Sequence, residues 1–222
     1  MLGRFQKKKM KIQKRKNIKT VKKFKESIER VLWDVKAVQI SAERKFTLAS
    51  GKLSPIYIDC RKLISYPNAM DLIAARAKEL MDKSIGKVDV LAGGETAGIP
   101  FAAWIAAKLG MKMIYVRKGA KEYGTGKQIE GEFERGSKVL LVEDLITDGG
   151  SKISFIDGIR NSGGRINDCL VVFDREEGGA EKLNGVGVKL RALTTLSKTL
   201  EFGLRNKYIT QKEFEVVKNY FI

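Results

Sequence analysis

The chain has 222 residues, with 43 Lys and Arg against 26 Asp and Glu, two Cys and no His, for a formal charge of +17. That length is enough to bury one hydrophobic core of good size. The lack of His excludes His-based acid–base catalysis, Ser-His and Cys-His nucleophile pairs and the commonest zinc ligand. Cys60 and Cys169 are too isolated for a disulfide framework or a Cys-based zinc site, and their apolar neighbours predict packing in a reducing compartment.

In chain order, residues 1–25 carry 12 of the 43 cations and no acid, which leaves 31 basic against 26 acidic residues for the rest. Residues 1–20 are Lys-, Gln- and Asn-rich and too polar to bury much, so they are read as a basic, disordered tail. Such a tail is expected to be a solvated extension, or the product of an upstream start with Met10 as the first native residue. Any contact it made with nucleic acid would be sequence-blind and salt-dependent. No apolar run nears the roughly 20 residues of a membrane span, and the lysine-rich start lacks a signal peptide's apolar stretch, so a soluble cytoplasmic protein is expected.

Val21, Phe24, Ile28, Val31, Leu32, Val35 and Val38 recur at helical spacing and predict an amphipathic helix that opens the body of the fold. Four β-branched or aliphatic runs then read as buried strands, at 88–92, 111–116, 139–142 and 169–173. Helical stretches lie around 68–82, 98–109 and 150–162. This alternation predicts an α/β fold, with right-handed crossovers and a mostly parallel central sheet flanked by helices. In such sheets ligands sit where strands end.

The run from Val139 to Ser151 is the strongest motif. An apolar strand meets two adjacent carboxylates, Glu143 and Asp144, then Leu145, Ile146, Thr147, Asp148, Gly149, Gly150 and Ser151. Glycines let backbone approach a ligand, and successive amides at a helix start seat a phosphate, helped by the Thr147 and Ser151 hydroxyls. The two carboxylates are expected to point at the other end of a sugar phosphate, where they accept from vicinal hydroxyls and favour positive charge. The run lacks the Gly-Lys-Ser/Thr of a P-loop and the spaced glycines of a dinucleotide fingerprint.

This run closely resembles the phosphoribosyl pyrophosphate (PRPP) motif of the type I phosphoribosyltransferases. The resemblance implies a parallel sheet with a small hood, from residues 21–66 plus C-terminal elements, and a flexible catalytic loop. Four more segments resemble the orotate branch of that family. Phe46–Gly51 and Ser54–Arg61 look like its amino-terminal signature, a strand pair closing over the base. Gly93–Pro100 resembles its pyrophosphate loop. Arg117-Lys118-Gly119-Ala120-Lys121-Glu122-Tyr123-Gly124-Thr125-Gly126 resembles its mobile loop, and Asp174-Arg175 its base-holding pair. By resemblance, Arg117, Lys118 and Lys121 bind PRPP and the leaving pyrophosphate, with Lys118 reaching the partner subunit of a homodimer. Arg175, with Thr147, holds orotate, since its fork donates paired hydrogen bonds to a carboxylate-bearing ring. Many family members have His at the position of Tyr123, Lys at that of Ala49 and Lys near Ala97, so the family's roles do not transfer to these three.

The implied reaction joins PRPP and orotate into orotidine monophosphate and pyrophosphate. Magnesium is the expected cofactor, bridging PRPP's ribose hydroxyls and pyrophosphate without needing Glu143 or Asp144 as ligands. Two other readings stay open. One is a purine phosphoribosyltransferase, disfavoured by the Phe46–Arg61 signature; the other is a nucleotide-sensing or RNA-binding regulator on the same scaffold. Lys121, Glu143 and Asp144 form the expected catalytic set. If Lys121 stabilises the departing charge as one preorganised donor does, Lys121→Ala lowers turnover about 100- to 1000-fold, or ~3–4 kcal/mol. Steady-state turnover equal to the parent would refute that loop assignment.

Overall fold

A computed structural model describes residues 27–41, 43, 45–47, 51–119 and 128–221. The basic tail, Val21 and Phe24, Ala49 and the loop residues Lys121 and Tyr123 lie outside the described residues. Among the described residues no helix is long and apolar enough to cross a membrane.

The first helix, α1 (Ile28–Asp34), is capped by Ser27, whose hydroxyl accepts from the Arg30 amide at 3.2 Å. It ends earlier than the periodicity predicts: Lys36 adopts a positive φ of 55°, and Val38 opens a strand, β1 (Val38–Ile40). The segment Val35-Lys36-Ala37 has neither Gly nor Pro to signal that stop. β2 (Phe46–Thr47) pairs antiparallel with β3 (Leu53–Ser54), and β4 (Ile56–Ile58) returns antiparallel to β1.

A 3-10 segment, Cys60–Ser65, leads into α2 (Pro67–Leu80), where Pro at the first helical position costs no hydrogen bond. The main sheet follows. β5 (Val90–Gly94), α3 (Gly98–Leu109), β6 (Lys112–Val116) and β7 (Ile129–Glu130) form one side. β8 (Lys138–Ile146), α4 (Gly150–Asn161), β9 (Arg165–Asp174), α5 (Gly179–Gly185) and β10 (Lys189–Thr195) form the other. The order is β10-β9-β8-β5-β6-β7, parallel except for the β6–β7 pair. The chain moves outward from β5, returns to β8 on β5's other side, and moves outward again. The crevice where this order reverses, at the carboxyl ends of β5 and β8, is where open α/β sheets bind ligands.

Alternation along the strands decides the two faces. Leu140, Val142, Leu170 and Val172 face α2 and α3, in a core that also takes in Leu32, Ile56, Phe101 and Ile105. Val139, Leu141, Cys169 and Val171 face Phe155, Ile156 and Ile159 of α4 and Leu183 of α5. The strands differ from the sequence expectation in their bounds: β9 starts earlier, at Arg165, and β6 one residue later, at Lys112. β5 starts later and runs through Gly93 and Gly94, because α3 packs so closely that a Cβ on Gly93 would lie 2.7 Å from the Ile99 Cα. β8 continues past Val142 through Glu143, Asp144, Leu145 and Ile146, all but Leu145 buried. The predicted loop of small residues therefore shrinks to Thr147–Gly149.

The chain closes with α6 (Leu196–Arg205) and α7 (Gln211–Phe221). α1 docks on α6: the Trp33 indole donates to the Thr199 carbonyl at 3.0 Å, and Gly203 leaves room for its ring. A Cβ on Gly203 would meet the ring at 2.7 Å. Gly203→Ala should therefore destabilise by about 1–3 kcal/mol through overpacking, read as a lower urea midpoint; an unchanged midpoint would mean α1 is not seated there.

Candidate active site

At the switch point the two carboxylates of β8 are both buried, with Glu143 at 4% exposure and Asp144 at 8%. Adjacent strand positions face opposite ways, so the two carboxylates approach the end of β8 from its two faces. Glu143 lies on the α4 face, where the Lys152 ammonium donates to its Oε2 at 2.7 Å. Its Oε1 fits a notch made by two glycines: a Cβ on Gly94 would be 2.1 Å from that oxygen, and one on Gly98 2.2 Å. The Gly94 backbone amide favours the ionised carboxyl, but Oε1 makes no well-formed hydrogen bond among the described residues. Asp144 lies on the other face, within electrostatic reach of Cys60 and Arg61 in the 3-10 segment.

Burial pushes both carboxyls above the ordinary range. For Glu143 the Lys152 ammonium is the main opposing influence, and for Asp144 it is the Leu145 amide. The thiols move the same way: burial pushes Cys60 and Cys169 well above the ordinary thiol range, so both pack as apolar side chains.

The phosphate loop follows β8 directly. Ile146 is fully buried beneath the sheet, and its carbonyl accepts from the Arg175 amide at 3.0 Å, so its side chain has no route to a ligand. Leu145 is half-buried against the α2–α3 core. Gly149 takes a φ of 78° and caps α4, which directs the first amides of the helix outward. Asp148 is exposed: it accepts from the Gly150 amide at 3.2 Å and from Lys182 of α5 at 3.1 Å. Its carboxylate thus stands in the electrostatics of the cradle and not only in its backbone. Thr147 is half-buried and Ser151 exposed at the opening turn of α4.

Arg175 follows β9 directly, at 5% exposure. Its Nε donates to Glu177 Oε1 at 2.6 Å, while its Nη2 is buried without a hydrogen-bond partner among the described residues. Arg117, just after β6, likewise has a buried Nε with no hydrogen-bond partner among the described residues, and its guanidinium is 3.9 Å from Glu130. Buried polar atoms are rarely left unsatisfied, and three of them around one strand edge mark a place for polar ligand groups. The described residues on either side of 120–127 are fastened nearby. Glu95 accepts from the Lys118 amide at 2.9 Å, and the Gln128 amide group donates to the Arg117 carbonyl at 2.8 Å. Lys121 falls outside the described residues.

Sequence reasoning missed Lys152, Lys182 and Glu95. Lys152 had a legible signal, since with Phe155, Ile156 and Ile159 it lies at helical spacing on the buried stripe of α4.

Comparison with known proteins agrees with this geometry. Residues 62–190 match the phosphoribosyl transferase domain family. The chain is 43% identical over 198 residues to orotate phosphoribosyltransferase of Rhizobium rhizogenes, covering 87% of this chain and 85% of that one. Its identity to the Agrobacterium fabrum enzyme of the same name is 44% over 200 residues, with the same coverage. The chain belongs to the orotate phosphoribosyltransferase family. Within that family, the solved Aeropyrum pernix enzyme superposes with a TM-score of 0.68 at 30% identity, over 79% of this chain and 98% of that one. Leishmania donovani UMP synthase gives 0.76 at 30% identity over 87% of this chain, which spans 41% of that longer protein.

For this family member the raised Asp144 carboxyl has a consequence for stability. A carboxyl whose folded-state pKa exceeds its unfolded value binds protons more readily when folded, so its contribution to stability falls as pH rises through the folded value. Asp144→Asn should therefore raise the thermal midpoint at neutral pH. That gain should vanish as pH falls to the ordinary Asp range, where both states of the parent are protonated. A midpoint difference that does not change with pH would contradict the burial of the charge.

Proposed function

We propose that the chain transfers the phosphoribosyl group of PRPP to N1 of orotate, giving orotidine 5′-monophosphate and pyrophosphate, the phosphoribosyl transfer step of de novo UMP synthesis. The observation that carries this reading is the convergence at one sheet switch point of a phosphate cradle, two buried carboxylates and a buried Arg fork. The named relatives support the choice of base.

The phosphate of PRPP would sit on the amides of Gly149–Ser151 with the Thr147 and Ser151 hydroxyls. Glu143 and Asp144 would favour the positive charge that grows on the ribose as its bond to pyrophosphate lengthens. Arg117, Lys118 and Lys121 would hold the departing charge while orotate N1 attacks the opposite face of the anomeric carbon; no protein nucleophile is needed. Arg175 Nη2 would meet the orotate carboxylate, with Thr147 beside it.

Among the described residues no three His, Cys, Asp or Glu side chains gather into a metal-binding group. Magnesium here would take its oxygens from PRPP and water, which suits a hard ion that dehydrates reluctantly. When bound it would neutralise pyrophosphate charge. A homodimer, with Lys118 reaching its partner's site, is supported by the exposed Leu53, Ile64 and Tyr66, and a cytoplasmic setting by two unpaired, buried thiols.

The test is loss of orotate absorbance with protein, PRPP and magnesium, against hypoxanthine and adenine controls. Orotate consumption that stops on chelation is expected; consumption of a purine alone would overturn the substrate. In the same assay Arg175→Lys should raise the orotate KM roughly 10- to 100-fold, the worth of a charge-assisted hydrogen bond of about 1.5–3 kcal/mol, with little change in the PRPP KM. Equal shifts in both constants would remove Arg175 from the base site.

A further inference from the structure

We propose that Lys152 is a positioning residue for the transfer, holding Glu143 ionised and turned toward the loop between β5 and α3; this rests on the reaction proposed above. A lysine on the buried stripe of a helix is costly unless it is paired, and its neighbours on that stripe are Phe155, Ile156 and Ile159. Lys152 has one strong partner, Glu143 Oε2 at 2.7 Å, and one weak one, the Ser151 hydroxyl at 3.4 Å.

Stability alone does not account for the pair. A buried ion pair is often no more stabilising than two apolar side chains of similar volume. One built for stability would also satisfy both carboxylate oxygens, whereas here Oε2 takes the Lys152 ammonium and Oε1, beside the Gly94 backbone, makes no well-formed hydrogen bond among the described residues. The surrounding backbone is shaped to that free oxygen. Gly94 at the end of β5 and Gly98 at the start of α3 are separate positions, and a Cβ at either would run into Oε1. Three elements thus define where the carboxylate lies: α4 through Lys152, β5 through Gly94 and α3 through Gly98.

Lys152 also follows Ser151, the last residue of the phosphate cradle. A phosphate that orders the first turn of α4 would therefore order Lys152, and through it Glu143. In this arrangement one end of PRPP sets the acceptor for the other, and the donor that meets Oε1 is a ribose hydroxyl.

Among the described residues the titratable groups facing Glu143 are Lys152 of α4, Asp144 of its own strand and Cys169 of β9. β5 and α3 present only glycine there. Burial raises the Glu143 carboxyl, and Lys152 and Asp144 act in opposite directions on it. Removing Lys152 therefore moves the acid limb of the pH profile to higher pH.

The experiment measures kcat/KM for PRPP against pH in Lys152→Met, Lys152→Arg, Glu143→Gln and the double variant Glu143→Gln/Lys152→Met. We expect Lys152→Met to lose about 100-fold, the scale of a misplaced reacting group, with its acid limb shifted upward. Lys152→Arg should recover most of the loss. The double variant should be no worse than Glu143→Gln, since Lys152 acts through Glu143. Losses that multiply in the double variant, or an acid limb unmoved in Lys152→Met, would overturn the proposal. If an unpaired Glu143 leaves Lys152→Met unfolded, the comparison of Glu143→Gln with the uncharged double variant still decides. Absence of orotate-dependent turnover in the parent would overturn the reaction itself, a result distinct from multiplicative losses in an active enzyme.

Discussion

Carrying two carboxylates at the buried carboxyl end of a central parallel strand is the constraint to which the rest of the site answers. Each charge is expensive in an apolar interior, and burial pushes both carboxyls up. The fold accommodates them by using both faces of β8. Glu143 is answered from the α4 side by Lys152, and Asp144 looks toward Arg61 and the 3-10 segment. Gly94 and Gly98 follow from the same constraint, because the strand and helix beside β8 must give up their side chains for Glu143 to fit. In the proposed reaction, negative charge kept out of water in this way would meet the positive charge growing on the ribose without reorganisation.

The cations follow a matching logic. Arg175 and Arg117 are anchored by one part of the guanidinium or by nearby backbone, and each has a buried nitrogen without a partner among the described residues. Such atoms cost stability in the empty protein and return it when ligand oxygens arrive, which favours binding of anions of defined shape over anions in general. The topology brings these groups together: β5, β6, β8 and β9 are neighbours in the sheet but separated in sequence, and all four end on one edge.

Much of this was legible in the residues. The strand–helix rhythm predicts the parallel sheet, and the small residues of Gly93–Pro100 and Thr147–Ser151 mark where β5 and β8 give way to helices. What was less legible has physical reasons. The extension of β8 through Ile146 is hidden because two acids interrupt an apolar run, and only their burial by α3 and α4 makes a strand of them. The end of α1 at Asp34 carries no Gly or Pro, so periodicity runs on into Val38, which tertiary pairing with Ile58 turns into a strand. β10 is an edge strand of half-buried residues interrupted by Lys189 and Arg191, and it shows neither a continuous apolar run nor a clean alternation. Lys152 reads as a solvated charge until its spacing from Phe155 and Ile159 is counted.

The most direct test of this account is amide hydrogen exchange with and without PRPP and magnesium, resolved by peptide. The account predicts slowed exchange in 93–99 and 144–152, at the carboxyl ends of β5 and β8, with no change around Asp89, Lys112 and Arg135 at the opposite end of the sheet. Protection confined to that opposite end, or none at saturating PRPP, would contradict the placement of the site and with it the roles assigned to Glu143, Asp144 and the phosphate loop.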